Sequence, residues 1–365
     1  MSEKKPEQIL AALEQAGFEA CYVGGCVRDL LLGRPVHDWD VTTSALPEET
    51  MACFPHCVPT GIRHGTVTVL EDGAKAEVTT FRCDGGYHDG RHPDQVTFVR
   101  SLAEDLARRD FTVNAMAMDL RGKITDLYGG REDLQAGILR CVGEPVQRFQ
   151  EDALRMLRAL RFSAQLGFSI EPETWAAIGR NADLCRKLSA ERVRDELEKT
   201  LLSDRPGLAA QMAGLGLLQA FGLTEARDCR WLAALPKDRT VRWAGFCRVY
   251  SELDLTLLRL DKRTTHDAMA AARCGCLEDA LGWKRLIALQ GRDVARIAAA
   301  LWDRTELLEE ILNSGQCLSL RDLAVTGADF PNLQGPAVGA HLQKLLCHVL
   351  AHPEDNRREI LLNLF

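Results

Sequence analysis

No stretch of this 365-residue sequence approaches ~18 consecutive apolar residues, and its opening, Met1-Ser-Glu-Lys-Lys-Pro-Glu-Gln-Ile-Leu10, holds no apolar core. Membrane spanning and secretion are therefore not expected, and the cytoplasm is the expected compartment. An excess of positive charge is also missing: 45 Lys and Arg stand against 52 Asp and Glu, a formal net charge of −7. No whole-chain cationic field draws nucleic acid, so an RNA-binding face has to be a local patch, such as the mild basic excess over residues 240–300. The 13 cysteines form no paired framework, which reads as reduced thiols in cytosol. The close pairs Cys53/Cys57 and Cys274/Cys276 have no second ligand pair to complete a zinc site, and the plainer reading is small buried hydrophobes. Gly-x-Gly-x-x-Gly is absent, so the dinucleotide fingerprint is excluded, and there is no fixed-period repeat.

What is present falls into two regimes. Up to about Asp133, short β-branched runs alternate with Gly-containing turns: Ala20–Val23, Trp39–Thr43, Gly65–Leu70, Ala76–Arg82 and Val96–Val99. That mixture predicts an α/β head with a small sheet. After Pro145 strands are not expected, and helical runs such as Gln150–Leu166, Ala190–Leu202 and Val294–Asn313 alternate with Gly or Pro stops. The prediction is an α/β head followed by an elongated all-α remainder.

Chemistry-bearing residues cluster in the head. Tyr22-Val-Gly-Gly-Cys-Val-Arg-Asp29 reads as a strand running into Gly24-Gly25 and then a helix. Paired glycines allow close backbone approach, free N–H groups at a helix start suit phosphate, and Arg28 adds a charged fork. Structural turning is the default for this motif by itself. Asp38-Trp39-Asp40 changes that, because aspartate is depleted in strands and two of them here need a reason. Residues i and i+2 share one strand face about 7 Å apart along it, so both carboxylates can converge on Mg²⁺ ions roughly 4 Å apart, as in two-metal phosphoryl transfer. Glu77, on a later strand, is the candidate third carboxylate, with an exposed strand glutamate as the alternative. In Arg108-Arg109-Asp110-Phe-Thr-Val-Asn114, the arginines suit a triphosphate, and Asp110 and Asn114 suit a ribose.

The ordered set Gly24–Asp29, Asp38–Asp40, Arg108–Ala115, Asp126–Gly130 with Asp133-Leu134, Arg148–Arg155 and Glu191–Glu196 resembles the class II tRNA nucleotidyltransferases, the CCA-adding enzymes, and their relatives the bacterial poly(A) polymerases. The segment from Leu320 to Gly339 also resembles the tail of the bacterial CCA-adding branch. The resemblance implies a polymerase-β-like nucleotidyltransferase head over 1–137, a helical neck over 138–204, a body over 205–310 and a tail over 311–365, the last parts holding the tRNA acceptor arm. It implies CTP and ATP as substrates and Mg²⁺ as cofactor, bound by Asp38 and Asp40. It further implies that Gly25, Arg28 and Arg109 hold the triphosphate, that Asp152, Arg155, Arg158 and Arg161 bind nucleotide from the neck helix, with Glu151 beside them, and that Glu191 and Arg192 brace that helix.

The neck has a physical reading too. On one helix Asp152 and Arg155 are i, i+3 neighbours. A carboxylate accepts and a guanidinium donates, so the pair matches the amino donor and ring-nitrogen acceptor of cytosine and adenine, and opposes uracil and guanine. Sites built this way discriminate by about 10⁴ or more. The alternative is an ordinary surface ion pair. Within the family, no basic-Phe element follows the paired aspartates and no long basic extension is present, which points away from a poly(A) polymerase. The Gly-rich loop Asp84–Asp94 points away from a CC-adding relative, while an A-adding partner enzyme is harder to separate. From other classes, His266-Asp267 hints at a metal phosphohydrolase, and an idle RNA-binding scaffold would not need Asp38 and Asp40.

Overall fold

The computed structural model describes residues 5–85 and 95–364. They fall into two compact units, Met1–Thr200 with Leu208–Ala226, and Leu201–Gly207 with Arg227–Phe365. The first unit is built on a sheet of β1 (Ala20–Val23), β2 (Asp40–Thr43), β3 (Cys57–Gly61), β4 (Thr66–Glu71), β5 (Ala74–Thr80), β8 (Met116–Met118) and β9 (Ile124–Asp126), in the order β3-β4-β5-β2-β1-β8-β9. β2 runs antiparallel to β1 and parallel to β5, with Asp40 opposite Glu77. A separate hairpin pairs β6 (Arg82–Gly85) with β7 (Gln95–Phe98).

Period-two burial decides which way this sheet faces. In β5, Ala74, Ala76, Val78 and Thr80 are buried, while Lys75 and Glu77 are exposed. The buried side meets α1 (Glu7–Gln15), whose Ile9, Leu10 and Leu13 are fully enclosed, and α3 (Pro47–Cys53). Because register partners in a sheet share a face, Asp40 lies on the same side as Glu77, away from that core. Strands β3, β8 and β9 escape pattern reading for physical reasons. β3 is an exposed edge strand carrying Pro59 and Gly61, which is where proline is tolerated, and β8 and β9 are three residues long.

Helices α2 (Gly25–Leu31), α4 (Leu102–Ala107) and α5 (Gly130–Ala136) complete the head, and α6 (Pro145–Glu151), α7 (Leu154–Leu166), α8 (Pro172–Asn181), α9 (Ala190–Leu201) and α10 (Leu208–Gly214) follow. Two sequence expectations need correction here. Strands do not vanish after Pro145: β10 (Ile138–Leu139) pairs in parallel with β11 (Ser169–Ile170). The expected helix Gln150–Leu166 is broken at Asp152, which takes φ −142° and ψ 105°. Its Oδ1 accepts the Leu154 N–H at 3.0 Å, a local side-chain bond that competes with helix and favours a start over an interior.

The second unit is helical: α11 (Arg239–Val249), α12 (Lys262–Arg273), α13 (Ala280–Trp302), α14 (Thr305–Asn313), α15 (Pro336–Ala351) and the short α16 (Arg358–Leu361). Gly291 interrupts α13 at φ 88°, and Asp303 at φ 54° divides the expected run Val294–Asn313. Arg242 is 1% exposed and satisfies its guanidinium on the carbonyls of Leu201, Leu235 and Pro236, as buried charge requires. No helix among the described residues is long and apolar enough to cross a membrane.

Candidate active site

The acidic pair is aimed by the residue between its members. Trp39 is buried, with its ring 5.1 Å from Tyr22 of β1, so Asp38, in the bend before β2, and Asp40, the first residue of β2, turn the other way. Both line a cleft of about 450 Å³ together with Gly24, Gly25, Arg28, Asp29, Arg109, Asp110, Asn114, Arg158, Arg161 and Phe162. Burial pushes the Asp40 carboxyl up to about 6; Arg109 opposes this, while Glu77 and Asp38 reinforce it. A carboxylate under that penalty is relieved by a cation, and two hard oxygen donors on one side of a strand suit Mg²⁺. Glu77 stands in register with Asp40 on β5. It is exposed and does not line the cleft, and no group of three His, Cys, Asp or Glu side chains among the described residues is placed to hold a metal ion. Its bearing on the site is its charge beside Asp40.

The opposite wall is cationic. Gly24 takes φ 77° and ψ −131°, and a Cβ there would lie 3.1 Å from Arg109 Nη1 and 4.0 Å from Asp40 Oδ2. Glycine thus supplies the positive φ and leaves room for the Arg109 guanidinium against the backbone here. Arg28 is buried; its Nε and Nη2 each donate to Asp29 at 3.0 Å, and its Nη1 donates to Asn114 Oδ1 at 2.7 Å. Asn114 Nδ2 donates to Asp110 Oδ1 at 3.1 Å, and Asp110 Oδ2 accepts from Arg158 Nε at 2.8 Å and Nη2 at 2.6 Å. Burial pushes the Asp110 carboxyl up, but the Arg158 charge, the Arg158 hydrogen bonds and the Asn114 amide overcome this and hold it at about 2. Asp110 and Asn114, expected to face a ribose, are therefore also the links that join Arg28 to Arg158.

From α7, Arg158, Arg161 and Phe162 reach the cleft. The Phe162 ring lies under three guanidinium groups, at 3.8 Å from Arg161, 5.0 Å from Arg158 and 5.2 Å from Arg28. Arg161 pairs with buried Glu196 of α9 and donates to Gln165 at 2.8 Å. Like cations gather here because each has an acidic or aromatic partner, which leaves a preorganised anion-binding wall.

Asp152 and Arg155 are placed differently from expectation. Asp152 precedes the helix, so the i, i+3 geometry does not hold. Its Oδ2 accepts from Arg192 Nη2 of α9 at 2.8 Å. Arg155 is buried and donates to Glu151 at 2.7 Å, to the Arg148 carbonyl at 3.1 Å and to the Arg108 carbonyl at 2.9 Å. Neither lines the cleft. Glu151 also pairs with Arg148, and Glu191 is partly buried beside Arg192 on α9. Of the loop Asp84–Asp94, Asp84 and Gly85 end strand β6, and residues 86–94 lie outside the described residues.

Three participants were not singled out from sequence. Asp105 is fully buried and pairs with both Arg108 and Arg109; its spacing of three and four residues before them was the readable signal. Glu196 ends the Glu191–Glu196 segment, and its partner Arg161 lies too far away in sequence to be read from spacing. Phe162 had no signal beyond its place after Arg161. In the second unit, exposed His266 meets Asp267 Oδ1 at 2.9 Å, and no third metal-ligating side chain joins them among the described residues.

Comparison with known proteins fits this geometry. Residues 20–140 match the model of a poly(A) polymerase head domain, and residues 167–224 match a probable RNA- and SrmB-binding site of polymerase A. A CCA-adding enzyme of Lactobacillus helveticus is 58% identical over 195 residues, covering 53% of this chain and 49% of that protein. One from Geobacillus stearothermophilus is 50% identical over 250 residues, covering 66% and 61%. The chain thus spans about half to two thirds of the length of the curated relatives it matches. Among solved structures, the Bacillus stearothermophilus CCA-adding enzyme in complex with CTP is 38% identical and superimposes with a TM-score of 0.84, covering 98% of this chain and 96% of the other. A Thermotoga maritima CCA-adding enzyme complexed with tRNA, at 19% identity and a TM-score of 0.67, shares the fold.

Proposed function

Because the chain belongs to the family of the CCA-adding enzymes, we propose that it adds C, C and A to the 3′ end of tRNA from CTP and ATP, without a template. In each addition the tRNA 3′-hydroxyl oxygen bonds to the α-phosphorus, the bond from the α-phosphorus to the bridging oxygen of the β-phosphate breaks, and pyrophosphate leaves as the hydroxyl proton is released. The observation that carries this reading is the two-walled cleft: Asp38 and Asp40 on one side, Arg28, Arg109, Arg158 and Arg161 on the other.

The carboxylates repel a triphosphate unless a cation intervenes, and Asp38 and Asp40 would hold Mg²⁺, which supplies positive charge to the reacting phosphate. The chain's own contribution is positioning and charge. Arg109 sits beside Asp40, and the Phe162-backed arginines present fixed donors to anionic oxygens. Base choice is assigned to Asp152 and Arg155, whose acceptor and donors match cytosine and adenine. To read a base they must exchange Arg192 and Glu151 for its edge. Residues 1–137 are assigned as head, 138–204 as neck, and 205–310 and 311–365 as the body and tail that hold the acceptor arm. Cytoplasmic tRNA, CTP and ATP as substrates support the cytoplasm as the compartment. The test is product sequencing with a tRNA lacking its last three nucleotides, all four nucleoside triphosphates and Mg²⁺. A CCA end is expected, and an unextended RNA or a tail of another sequence overturns the reading.

A further inference from the structure

Arg109 touches the cleft, but what fixes it lies behind. Asp105 of α4 is fully buried, and both of its carboxylate oxygens are engaged. Oδ1 accepts from Arg108 Nε at 3.1 Å and Nη2 at 2.7 Å. Oδ2 accepts from Arg109 Nη2 at 2.9 Å and from the hydroxyl of Thr42 at 3.2 Å. Thr42 is fully buried and stands two residues along β2 from Asp40, on the same strand face. One carboxylate oxygen therefore ties the phosphate-facing arginine to the strand that carries the metal-binding aspartate. The remaining donors of Arg109 are arranged accordingly. Its Nη1 lies beside Gly24, and its Nε–H is buried without an acceptor, so the hold is one-sided.

Resting on the proposed function, we infer that Asp105, with Thr42, is a positioning residue that sets Arg109 against Asp40 and thereby fixes where the triphosphate sits. Burying a carboxylate between two arginines is expensive unless its hydrogen bonds are complete, and here they are, which gives a stiff support rather than a mobile ion pair. Arg109 held by one edge keeps the other edge for phosphate. A support shared by every nucleotide acts on the triphosphate and not on the base, so CTP and ATP must respond together.

The experiment is a double-mutant cycle on equilibrium binding of CTP and of ATP to the full-length protein. Asp105→Asn is expected to weaken both nucleotides by about tenfold, the size of a lost charge-assisted hydrogen bond, and Arg109→Ala to weaken them at least as much. The double variant is expected to bind no worse than Arg109→Ala alone, because Asp105 acts through Arg109. Losses that multiply, or an unchanged affinity in folded Asp105→Asn, overturn the inference. Thr42→Val keeps the ion pair and removes one bond. It covers the case in which Asp105→Asn does not fold: it should weaken both nucleotides by a few fold in the presence of Arg109 and not in its absence, and an unchanged affinity overturns the link to β2. Wild-type protein run beside these separates the two readings, since wild type that fails to extend tRNA overturns the proposed function itself, while active wild type with an additive cycle overturns the role of Asp105.

Discussion

Asp110→Asn tests the cationic wall at its centre. Every hydrogen bond the structure gives the Asp110 carboxylate comes from a donor: the Phe111 N–H at 2.9 Å and Asn114 Nδ2 at 3.1 Å on Oδ1, and Arg158 Nε at 2.8 Å and Nη2 at 2.6 Å on Oδ2. An amide keeps the shape but points its own NH₂ at donors whichever way it is turned. The charge contribution follows from titration. The carboxyl lies at about 2 in the folded protein against an ordinary 3.8, so ionisation favours the folded state. A shift of that size is worth about 2 kcal/mol at neutral pH, taken on the low side because the Arg158 side chain is a third exposed to screening solvent.

The pH window follows. With the folded value depressed, the stabilisation is fully present above about pH 4, is roughly half gone by pH 3, and disappears as the pH falls through 2. Urea unfolding of wild type and Asp110→Asn, followed by circular dichroism at pH 7, 4 and 3, cancels every titration the two proteins share. The variant should be less stable by about 2 kcal/mol at pH 7, nearly as much at pH 4, and by about half that at pH 3. Equal stability at pH 7, or a gap that does not shrink in acid, would show that Asp110 is not the ionised anchor of Arg158.

Asp38→Ala and Asp40→Ala should each leave the melting temperature near wild type and remove incorporation of both nucleotides; turnover well above a trace in either pure variant ends the assignment. Glu196→Gln leaves Arg161 buried without its anion, which should cost about 3–5 kcal/mol and lower the unfolding temperature by roughly 10 °C, and an unchanged melting curve contradicts it. Replacing Asp152 and Arg155 together by neutral side chains should admit UTP and GTP while slowing CTP and ATP, and unaltered rejection of UTP places base choice elsewhere. If the Gly-rich segment between Gly85 and Gln95 lets one pocket take the larger base after two cytosines, shortening it should give tRNA ending in two cytosines, and a full CCA end from that protein contradicts this.

The sequence makes some of this architecture legible and hides the rest, and the division has a physical basis. β1 is found with its observed bounds because Ala-Cys-Tyr-Val is a buried apolar run stopped by glycine. The acidic pair is found because aspartate beside a strand violates propensity, and such violations gather where function outweighs local preference. Glu77 is legible as a carboxylate on a later strand, but its place opposite Asp40 is not. Register against Asp40 is a property of two strands separated by more than thirty residues, and so is its exposure. Asp105 was within reach, since its partners lie three and four residues away, but its oxygen shared with Thr42 spans the chain from α4 to β2.

Asp152 shows most clearly why the remainder stays hidden. No glycine or proline interrupts the sequence between Pro145 and Gly167, so its pattern alone writes one helix through Glu151 and Asp152. The break is settled by a competition among partners that periodicity does not contain. Asp152 can bond its own backbone at Leu154, and Arg192, forty residues on, supplies a cation for its second oxygen. Arg155 has a rival carboxylate one turn back at Glu151 and two carbonyls to cap, at Arg148 and Arg108. Each side chain therefore bonds to a partner other than its helical-wheel neighbour, and the two share no ion pair. A ligand that offered Asp152 a donor and Arg155 an acceptor would compete against these bonds, not against water, so on the proposed function selectivity would depend on Arg192 and Glu151 as well as on the two residues that would touch the base.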